Sequence, residues 1–511
     1  MSATAEAAGF SPADPVVKGS EKSTPEPNPR RWIVLAVIAI SQLMVVLDAT
    51  IVNIALPSAQ RALEITDADR QWVVTAYTLA FGGLLLLGGR IADYWGRKRT
   101  FLVGAVGFAA ASALGGFAQN GAMLFGARAL QGVFGALLAP ASLALLTVLF
   151  TEARERAKAF AVYGAIAGGG SAVGLLLGGV LTEYANWRWC LLVNIPIAIL
   201  ALALAIPLVP ESKAHGDTTY DVPGAVLVTL GLASLVYGFT EAAKPDEGWD
   251  SATTLSFIVG GLVLIAAFVL VERRTRNPLL PLRIVLDRNR GGAYLTSMLV
   301  GAGLFGAFLF LTLYLQNVLA YTPLEAGFAS LPVTVGVLIS AALASNLLPR
   351  IGPKILMIAG PILAAAGMFL LRFIDIDTSF WTHLMPAQVL LGLGLGFTFV
   401  PLSSLALVGV PEHDAGAASA ALNATQQVGG SLGTALLNTL ATSAIASYAA
   451  AHIPANQQAA QRVGLEAQVH GYAAAFTWAA VVILIAAGVT ALFVKVNRQD
   501  LPTGEAAAHV G

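Results

Sequence analysis

Two charged side chains stand out because each lies inside a long apolar stretch of the sequence. Asp48 is the only ionisable residue between Trp32 and Leu56, and Arg128 lies within the apolar stretch that begins near residue 121. A charge in the middle of a membrane helix costs about 2.5–3.5 kcal/mol on insertion scales, so it is rarely kept without a function. A carboxylate at such a depth can take up a proton in one conformation and release it in another, or it can bind a cationic ligand.

The two charges are predicted to lie at a similar depth. Asp48 is about 25 Å along its helix from Arg31, and Arg128 is about 10 Å from the outer end of a helix that runs the other way. A polar stripe on one helical face follows from the spacing of Arg128, Gln131, Gly135 and Ser142. The pattern indicates either a neutralising ion pair that only holds helices together, or a proton-carrying carboxylate that faces a water-filled cavity.

The composition is that of a membrane protein. Of 511 residues, 57% are hydrophobic and 11% are charged, whereas a soluble domain carries roughly 25% charged residues. The single cysteine, Cys190, excludes an internal disulfide or a multi-cysteine metal site. The sequence has no phosphate-binding loop and no H-E-x-x-H pair. We therefore expect no enzyme, no ATP-driven pump, no metal and no cofactor, and the net charge of zero gives no indication of a nucleic-acid partner.

Apolar runs of roughly 20 residues, each long enough to cross about 30 Å of hydrocarbon, recur to the end of the chain. We count fourteen of them, which begin near residues 32, 71, 100, 121, 159, 189, 221, 253, 292, 325, 354, 380, 415 and 472. The sequence therefore predicts an all-α integral membrane protein with fourteen transmembrane helices in a lipid bilayer. Residues 1–29 and 498–511 are predicted to be cytoplasmic tails, the first of them disordered.

The basic residues indicate the orientation, because cytoplasmic loops are enriched in lysine and arginine. With the N-terminus inside and Arg128 embedded, six of the 29 basic residues face outwards, namely Arg61, Arg70, Arg188, Lys244, Arg372 and Arg462. An even number of helices returns the C-terminus to the same side. We expect a protein of the bacterial inner (plasma) membrane whose two termini are both cytoplasmic.

A weak internal repeat indicates two similar halves. Gly96 follows the second predicted helix and Gly352 follows the tenth, each with basic residues close by. The fourth and twelfth predicted helices share one spacing, in Gly135, Pro140 and Ser142 and in Gly396, Pro401 and Ser403. We predict six-helix bundles at residues 30–210 and 276–497 with two inserted helices at 211–275, as in transporters built from repeats.

The loop after the second helix carries a specific pattern, G-x-x-x-D-x-x-G-R-K, formed by Gly89, Asp93, Gly96, Arg97 and Lys98. Glycines allow a tight turn. Asp93 can pair with arginines or with the positive N-terminal end of a neighbouring helix. The thirteenth predicted helix is a candidate for that neighbour. The pattern resembles the signature of the major facilitator superfamily and implies its fold. In that family the loop acts as a gate latch between the two halves.

Further stretches resemble the fourteen-helix drug:proton antiporters of that superfamily, the EmrB/QacA type, at 47–57, 128–132, 187–196 and 423–430. The resemblance covers residues 31–498. It implies that Asp48 and Arg128 handle the proton and that a proton gradient, without a cofactor, drives transport. It also implies a multidrug exporter of hydrophobic drugs or antibiotics, with cationic ones favoured. We expect the protein to act as a monomer.

The fifth predicted helix carries the glycines of the antiporter motif, Gly170, Gly174, Gly178 and Gly179. Their spacing suits close packing between membrane helices. A nucleotide-binding loop is not expected, because no strand precedes these glycines. The family motif normally reads Gly-Pro near its end, but here Gly174 is followed by Leu175. Loss of that proline removes a helix kink.

Polar and aromatic residues on several helices are candidates for the substrate cavity. They are Met44, Tyr77, Gln131, Gln316, Asn317, Asn423 and Gln427. The alternative for each is a packing role, since a hydrogen bond between membrane helices contributes about 0.6 kcal/mol on average.

Other functions share these motifs. A dedicated exporter of one metabolite or self-made antibiotic differs from a multidrug exporter only in its substrate range. A membrane receptor that kept the fold without transport is a third hypothesis. The embedded Asp48 and Arg128 favour transport, because two buried charges are costly to keep in a scaffold.

Overall fold

The computed structural model describes residues 30–150, 152–213, 221–244, 246–275, 278–279, 282–407, 410, 415–454 and 456–496. The regular elements in these ranges are all helices. We number the long ones α1 (Arg31–Ala62), α2 (Trp72–Trp95), α3 (Arg97–Gly116), α4 (Gly121–Leu149), α5 (Ala153–Tyr184), α6 (Trp189–Leu208), α7 (Val222–Ala242), α8 (Ala252–Arg274), α9 (Arg288–Val318), α10 (Pro323–Ile351), α11 (Pro353–Leu371), α12 (Phe380–Ala406), α13 (Ala415–Ala451) and α14 (Gln457–Phe493). The two predicted tails lie outside the described residues.

Twelve helices of the described chain are long and apolar enough to cross a membrane, so the protein is a multi-pass membrane protein. The other two long helices are α5, with 32 residues, and α13, with 37 residues. Because α5 and α13 are not among the twelve, the predicted count of fourteen membrane spans is not confirmed and stays a prediction.

The helix starts agree with the hydropathy pattern except at two helices. α5 begins at Ala153 although its apolar run begins near 159, and α14 begins at Gln457 although its run begins near 472. The first turns of α14 are polar, and Asn456 caps them by accepting a hydrogen bond from the Ala459 N–H at 2.8 Å. Hydropathy detects the part of a helix that suits hydrocarbon, so it misses a polar extension of this kind.

Two equivalent tight turns support the internal repeat. Gly96 separates α2 from α3 with a φ of +125°, and Gly352 separates α10 from α11 with a φ of +81°. Both values lie in the region of backbone conformation that glycine adopts without the clash of a Cβ atom. α3 and α4 pack on each other, as do α11 and α12, so the same pairing recurs in the two halves.

The inserted helices α7 and α8 pack on each other, and α7 contacts both halves. The side chains of Thr240 on α7 and Gln71, which precedes α2, are hydrogen-bonded at 2.7 Å. The Thr439 hydroxyl on α13 donates to the backbone carbonyl of Phe239 at 2.6 Å. α7 therefore joins α2 of the first half to α13 of the second.

The hydrogen bonds found between the two halves of the described chain lie towards the end of the molecule that contains the 63–71 loop, which we call the distal end. Among the described residues, Gln316 on α9 donates to the Ile54 carbonyl at 2.9 Å. The Thr78 and Ser431 hydroxyls are 2.7 Å apart, and the Leu324 N–H donates to Glu183 at 3.1 Å. These contacts close the distal end of the interface.

Candidate functional site

Asp48 on α1 and Arg128 on α4 form a buried ion pair. Arg128 Nη1 donates to Asp48 Oδ2 at 2.5 Å, and the two side chains are 0% and 1% exposed. Breaking such a pair by removing one partner leaves an uncompensated buried charge, which is strongly destabilising. The structure thus brings together the two charges that stand out in the sequence.

Neighbouring helices complete the hydrogen bonds of this pair. Asp48 Oδ1 accepts from Gln131 Nε2 at 2.8 Å and from Asn194 Nδ2 at 2.9 Å. Arg128 Nε donates to the Val73 carbonyl at 2.9 Å, and its guanidinium lies 4.5 Å from the centre of the Tyr77 ring. Five helices, α1, α2, α3, α4 and α6, contribute groups, the α3 group being Ser112, which accepts from Gln131 at 2.7 Å. We call these residues the Asp48 network.

The predicted polar stripe on α4 divides into two parts. Arg128 and Gln131 face Asp48, and Arg128 Nη1 also donates to Gln131 Oε1 at 2.8 Å. Further along the helix, Ser142 donates to the carbonyl one turn back, that of Leu138. Arg128 and Gln131 therefore belong to the Asp48 network, whereas the Ser142 hydroxyl is hydrogen-bonded within its own helix.

Three members of the network have no function that the sequence alone predicts. Asn194 lies in the stretch 187–196, which resembles a family motif, and a polar residue near the start of an apolar run is the only signal that it carries. Ser112 lies in an alanine-rich helix, where a serine is unremarkable. Val73 contributes its backbone carbonyl, which no side-chain pattern reveals.

Apolar packing separates the network from the distal end. A cavity of about 10 Å³ lies there, lined by nine residues that include Val52, Leu56, Trp187 and Leu191. This volume is at the lower limit for one water molecule, and an apolar lining favours an empty cavity. This cavity has no room for a chain of water molecules that could carry a proton to Asp48 in the described conformation. The described residues also contain no cluster of His, Cys, Asp or Glu that could hold a metal ion.

Three predicted cavity residues are buried around the ion pair. Met44 is 0% exposed, Tyr77 2% and Gln131 0%. That they line a substrate cavity stays a prediction, because the face of α1 that carries Asp48 points into the bundle in this conformation. Any contact with a substrate would require the helices to move apart.

The other predicted cavity residues lie at the interface between the halves. Gln316 is bonded to α1, as described, and Asn317 next to it is half-buried. Asn423 on α13 is exposed and donates only to the Ser419 carbonyl of its own helix. Gln427, one turn further, is half-buried, and its Oε1 has no partner among the described residues. Asn423 is therefore the one of these four residues whose side chain is exposed in the described conformation, whereas the unpartnered Gln427 Oε1 is itself buried.

The predicted gating loop contacts the end of α6. Arg97 donates to Asp93 at 2.8 Å, and Gly96 makes the turn described above, while Gly89 lies in the last turns of α2. Lys98 donates through Nζ to the Ile206 carbonyl at 2.7 Å and through its backbone N–H to Glu211 at 3.1 Å. Glu211 was not identified from the sequence. The segment 411–414, which precedes the candidate neighbour α13, lies outside the described residues.

The four motif glycines of α5 lie where a side chain would meet a neighbouring helix. Gly170, Gly174 and Gly178 face α1, and a Cβ on Gly178 would be 3.0 Å from the Ile51 carbonyl oxygen. Gly179 faces the start of α10 in the other half, and a Cβ there would be 2.7 Å from Leu324 Cα. The glycines thus permit the close approach of α5 to both helices.

Gly179→Ala is expected to lower the free energy of unfolding by about 1–3 kcal/mol, because the added methyl group meets backbone atoms that cannot move aside. Gly169→Ala is the matched control on the same helix, since a Cβ there has nothing within 4 Å. Thermal unfolding of the purified proteins in one detergent measures both. Equal stability of the two variants would show that α5 and α10 do not approach as closely as described.

Comparisons with known proteins agree with this fold. The profile of the Major Facilitator Superfamily matches residues 38–434. The chain is 52% identical over 465 residues to the puromycin resistance protein pur8 of Streptomyces alboniger, covering 90% of this chain and 91% of that protein. It is 38% identical over 410 residues to the cephamycin export protein CmcT of Amycolatopsis lactamdurans, covering 80% and 84%.

A solved structure shares the fold at low sequence identity. A bacterial homolog of the human lysosomal transporter Spinster, in an inward-facing and occupied conformation, matches 93% of this chain and 99% of its own with a TM-score of 0.64 and 14% identity. The family profile covers more than half of the chain, and the two curated relatives cover most of it. The chain therefore belongs to the major facilitator superfamily of membrane transporters.

Proposed function

We propose that the protein is a proton-coupled antiporter that exports hydrophobic antibiotics or drugs from the cytoplasm, cationic ones in particular. The observation that carries this proposal is the Asp48 network, in which one carboxylate is buried, ion-paired and held by two amides. A scaffold has no need of a charge at this depth, whereas a proton carrier requires one. The relatives named for puromycin resistance and cephamycin export support an exporter.

We further propose that all fourteen long helices cross the bacterial inner membrane, with both termini in the cytoplasm and the distal end outside. At 1.5 Å per residue, α5 and α13 are about 48 and 56 Å long, more than the roughly 30 Å of hydrocarbon. The concentration of basic residues on one side supports this orientation. The protein then acts as a monomer, with the lipid bilayer and its small-molecule substrates as its partners.

The cycle follows from the two states of Asp48. In the ionised state Asp48 is attracted to Arg128, and the two halves are joined at their distal end. Once the halves separate at the distal end, a proton that enters from outside neutralises Asp48 and weakens this attraction, and the substrate is released outwards. Loss of the proton to the cytoplasm resets the transporter. A gradient of 100 mV and one pH unit supplies about 3.7 kcal/mol per proton, enough for a substrate concentration ratio of a few hundred when one neutral substrate is exchanged for one proton.

Asp48→Asn is expected to abolish proton-driven export, because the amide cannot bind and release a proton. The measurement is dye or antibiotic uptake into inverted vesicles energised by a proton gradient. Asp377→Asn is the matched control, since Asp377 is exposed between α11 and α12, and it should transport like the unaltered protein. Uptake at the normal rate by Asp48→Asn would exclude Asp48 as the proton carrier.

A dedicated exporter of one antibiotic is the second candidate, because the two relatives above are each named for a single antibiotic. Competition between unrelated compounds for uptake into the same vesicles separates the two candidates. Inhibition by several chemical classes supports a multidrug exporter, and inhibition by one class alone supports a dedicated one. Collapse of uptake by a protonophore is expected for both, and it excludes a non-transporting receptor.

A further inference from the structure

The amide of Asn194 has one bonded end and one free end. Its Nδ2 donates to Asp48 Oδ1 at 2.9 Å and to the Ser112 hydroxyl at 3.3 Å. Its Oδ1 is fully buried and has no hydrogen-bond partner among the described residues. A buried polar atom without a partner is unfavourable, so one that is kept beside an ionisable group calls for an explanation.

The unpartnered oxygen of Asn194 matters because every hydrogen-bond partner of Asp48 among the described residues is a donor. Oδ2 faces Arg128 Nη1, and Oδ1 faces the amide nitrogens of Gln131 and Asn194. These groups suit an ionised carboxylate, which only accepts hydrogen bonds. A protonated carboxyl must donate one, and its proton would point at a donor whichever oxygen carried it.

Asn194 can supply the missing acceptor, whereas Gln131 cannot do so without a loss. The carbonyl end of Gln131 already accepts from Arg128 at 2.8 Å, so turning that amide would place its nitrogen against the guanidinium. The carbonyl end of Asn194 is unused. Because the nitrogen and oxygen of an amide are nearly equal in size, a half-turn about the Cβ–Cγ bond exchanges them without moving the helix.

We propose that Asn194 is a positioning residue for proton transfer, whose amide turns by a half-rotation when Asp48 is protonated. The proton binds Asp48 Oδ1, and the O–H formed there donates to Asn194 Oδ1. The Ser112 hydroxyl turns to donate to the same oxygen. Asn194 Nδ2 moves to the place that Oδ1 held, so one polar atom of the amide is without a partner in each state. The exchange therefore adds no unpartnered atom, which lets Asp48 change its charge inside a closed network.

This inference rests on the proposed function, because it assumes that Asp48 carries the proton. The other charged or titratable groups close to Asp48 are Arg128 from α4, Tyr77 from α2 and Cys190 from α6. None of them accepts a hydrogen bond from Asp48 in the described arrangement, since Arg128 is a donor only and no hydrogen bond joins Tyr77 or Cys190 to Asp48 among the described residues. Asn194 therefore carries the role alone.

Asn194→Leu tests the proposal, because leucine has a similar shape and no polar atom. The ionised form of Asp48 loses one of three donors, whereas the protonated form loses its acceptor altogether. Loss of a donor to the ionised form would by itself move the titration midpoint of Asp48 to higher pH. The proposal instead expects a move to lower pH of about one unit, a tenfold loss of proton affinity, because the protonated form is left with a buried O–H that has no acceptor. Infrared difference spectroscopy of the purified protein measures the midpoint, with Asp48→Asn assigning the band.

The pH profile of export is the second readout, and it should shift in the same direction. Asn346→Leu is the matched control, because Asn346 is exposed on α10 and donates to the Ala342 carbonyl of its own helix. A midpoint that stays in place or moves to higher pH in Asn194→Leu, while Asp48 still titrates, would overturn this inference and leave the proposed function standing. Absence of an Asp48 titration in the unaltered protein would instead overturn both.

Discussion

Arg128→Met is expected to lower the free energy of unfolding by about 3–5 kcal/mol, the largest effect of any single change at the site. Methionine fills much of the space of the arginine stem but leaves Asp48 buried without its counter-charge. The loss of stability should be smaller at low pH, because a protonated Asp48 carries no charge that would be left unpaired. Thermal unfolding in detergent at two pH values, together with the yield of folded protein, measures both parts of the prediction.

The double variant Asp48→Asn/Arg128→Met separates loss of the pair from loss of packing. It removes both charges, so most of the lost stability should return, and the two changes should be clearly non-additive. Arg372→Met is the matched control, because Arg372 is exposed at the end of α11 and should change stability by no more than about 0.5 kcal/mol. Additive effects of the two single changes would contradict a direct Asp48–Arg128 interaction.

Charge and spacing were enough to predict the centre of the site but not its periphery. Asp48 and Arg128 interrupt apolar stretches, and a step of three residues places Gln131 beside Arg128. Ser112 and Ser142, by contrast, look alike in the sequence, yet Ser112 joins the network and Ser142 bonds to its own helix. A small polar residue in a membrane helix has both options, so only the packing of α3 against α4 and α6 decides between them.

The fold shows a similar division. The apolar runs and the turns at Gly96 and Gly352 were readable, because burial and positive φ restrict the residue types. The polar start of α14 and the burial of Arg70 could not be predicted from the sequence. Arg70 counts as an outward-facing loop residue in the sequence, but in the structure its side chain is 2% exposed. Contacts between halves that are distant in sequence determine its position, and hydropathy contains no information about them.

Arg70 extends from the first half into the second at the distal end. Its Nε donates to Asn438 Oδ1 at 3.1 Å, and its Nη1 donates to Asp67 at 3.0 Å. The guanidinium lies 5.9 Å from the centres of the Phe310 and Tyr472 rings, a distance at which cation–π attraction contributes. Asn438 in turn donates to the Asp67 carbonyl at 2.9 Å. We call these five residues the distal latch.

The distal latch bears on transport because alternating access requires the halves to separate at this end. Its residues come from the 63–71 loop on one side and from α9, α13 and α14 on the other, so that separation breaks the contacts of Arg70 with all three helices. Truncating one member of a buried, hydrogen-bonded charge contact typically costs 2–5 kcal/mol. Truncating Arg70 therefore destabilises the distally closed state, in which these contacts form, and does not destabilise the distally open state, in which they are broken.

Arg70→Met is therefore expected to raise the ratio of distally open to distally closed molecules by more than about tenfold. Spin labels at Gln119→Cys and Ile453→Cys report the distance across this end by pulsed electron resonance. Both positions are exposed, and the native Cys190 is buried and should stay unlabelled. A second, longer distance should grow in Arg70→Met. Arg61→Met, a change of an exposed arginine at the end of α1, should leave the distribution unaltered. An unchanged distribution in Arg70→Met would mean that the other distal contacts hold the halves together without Arg70.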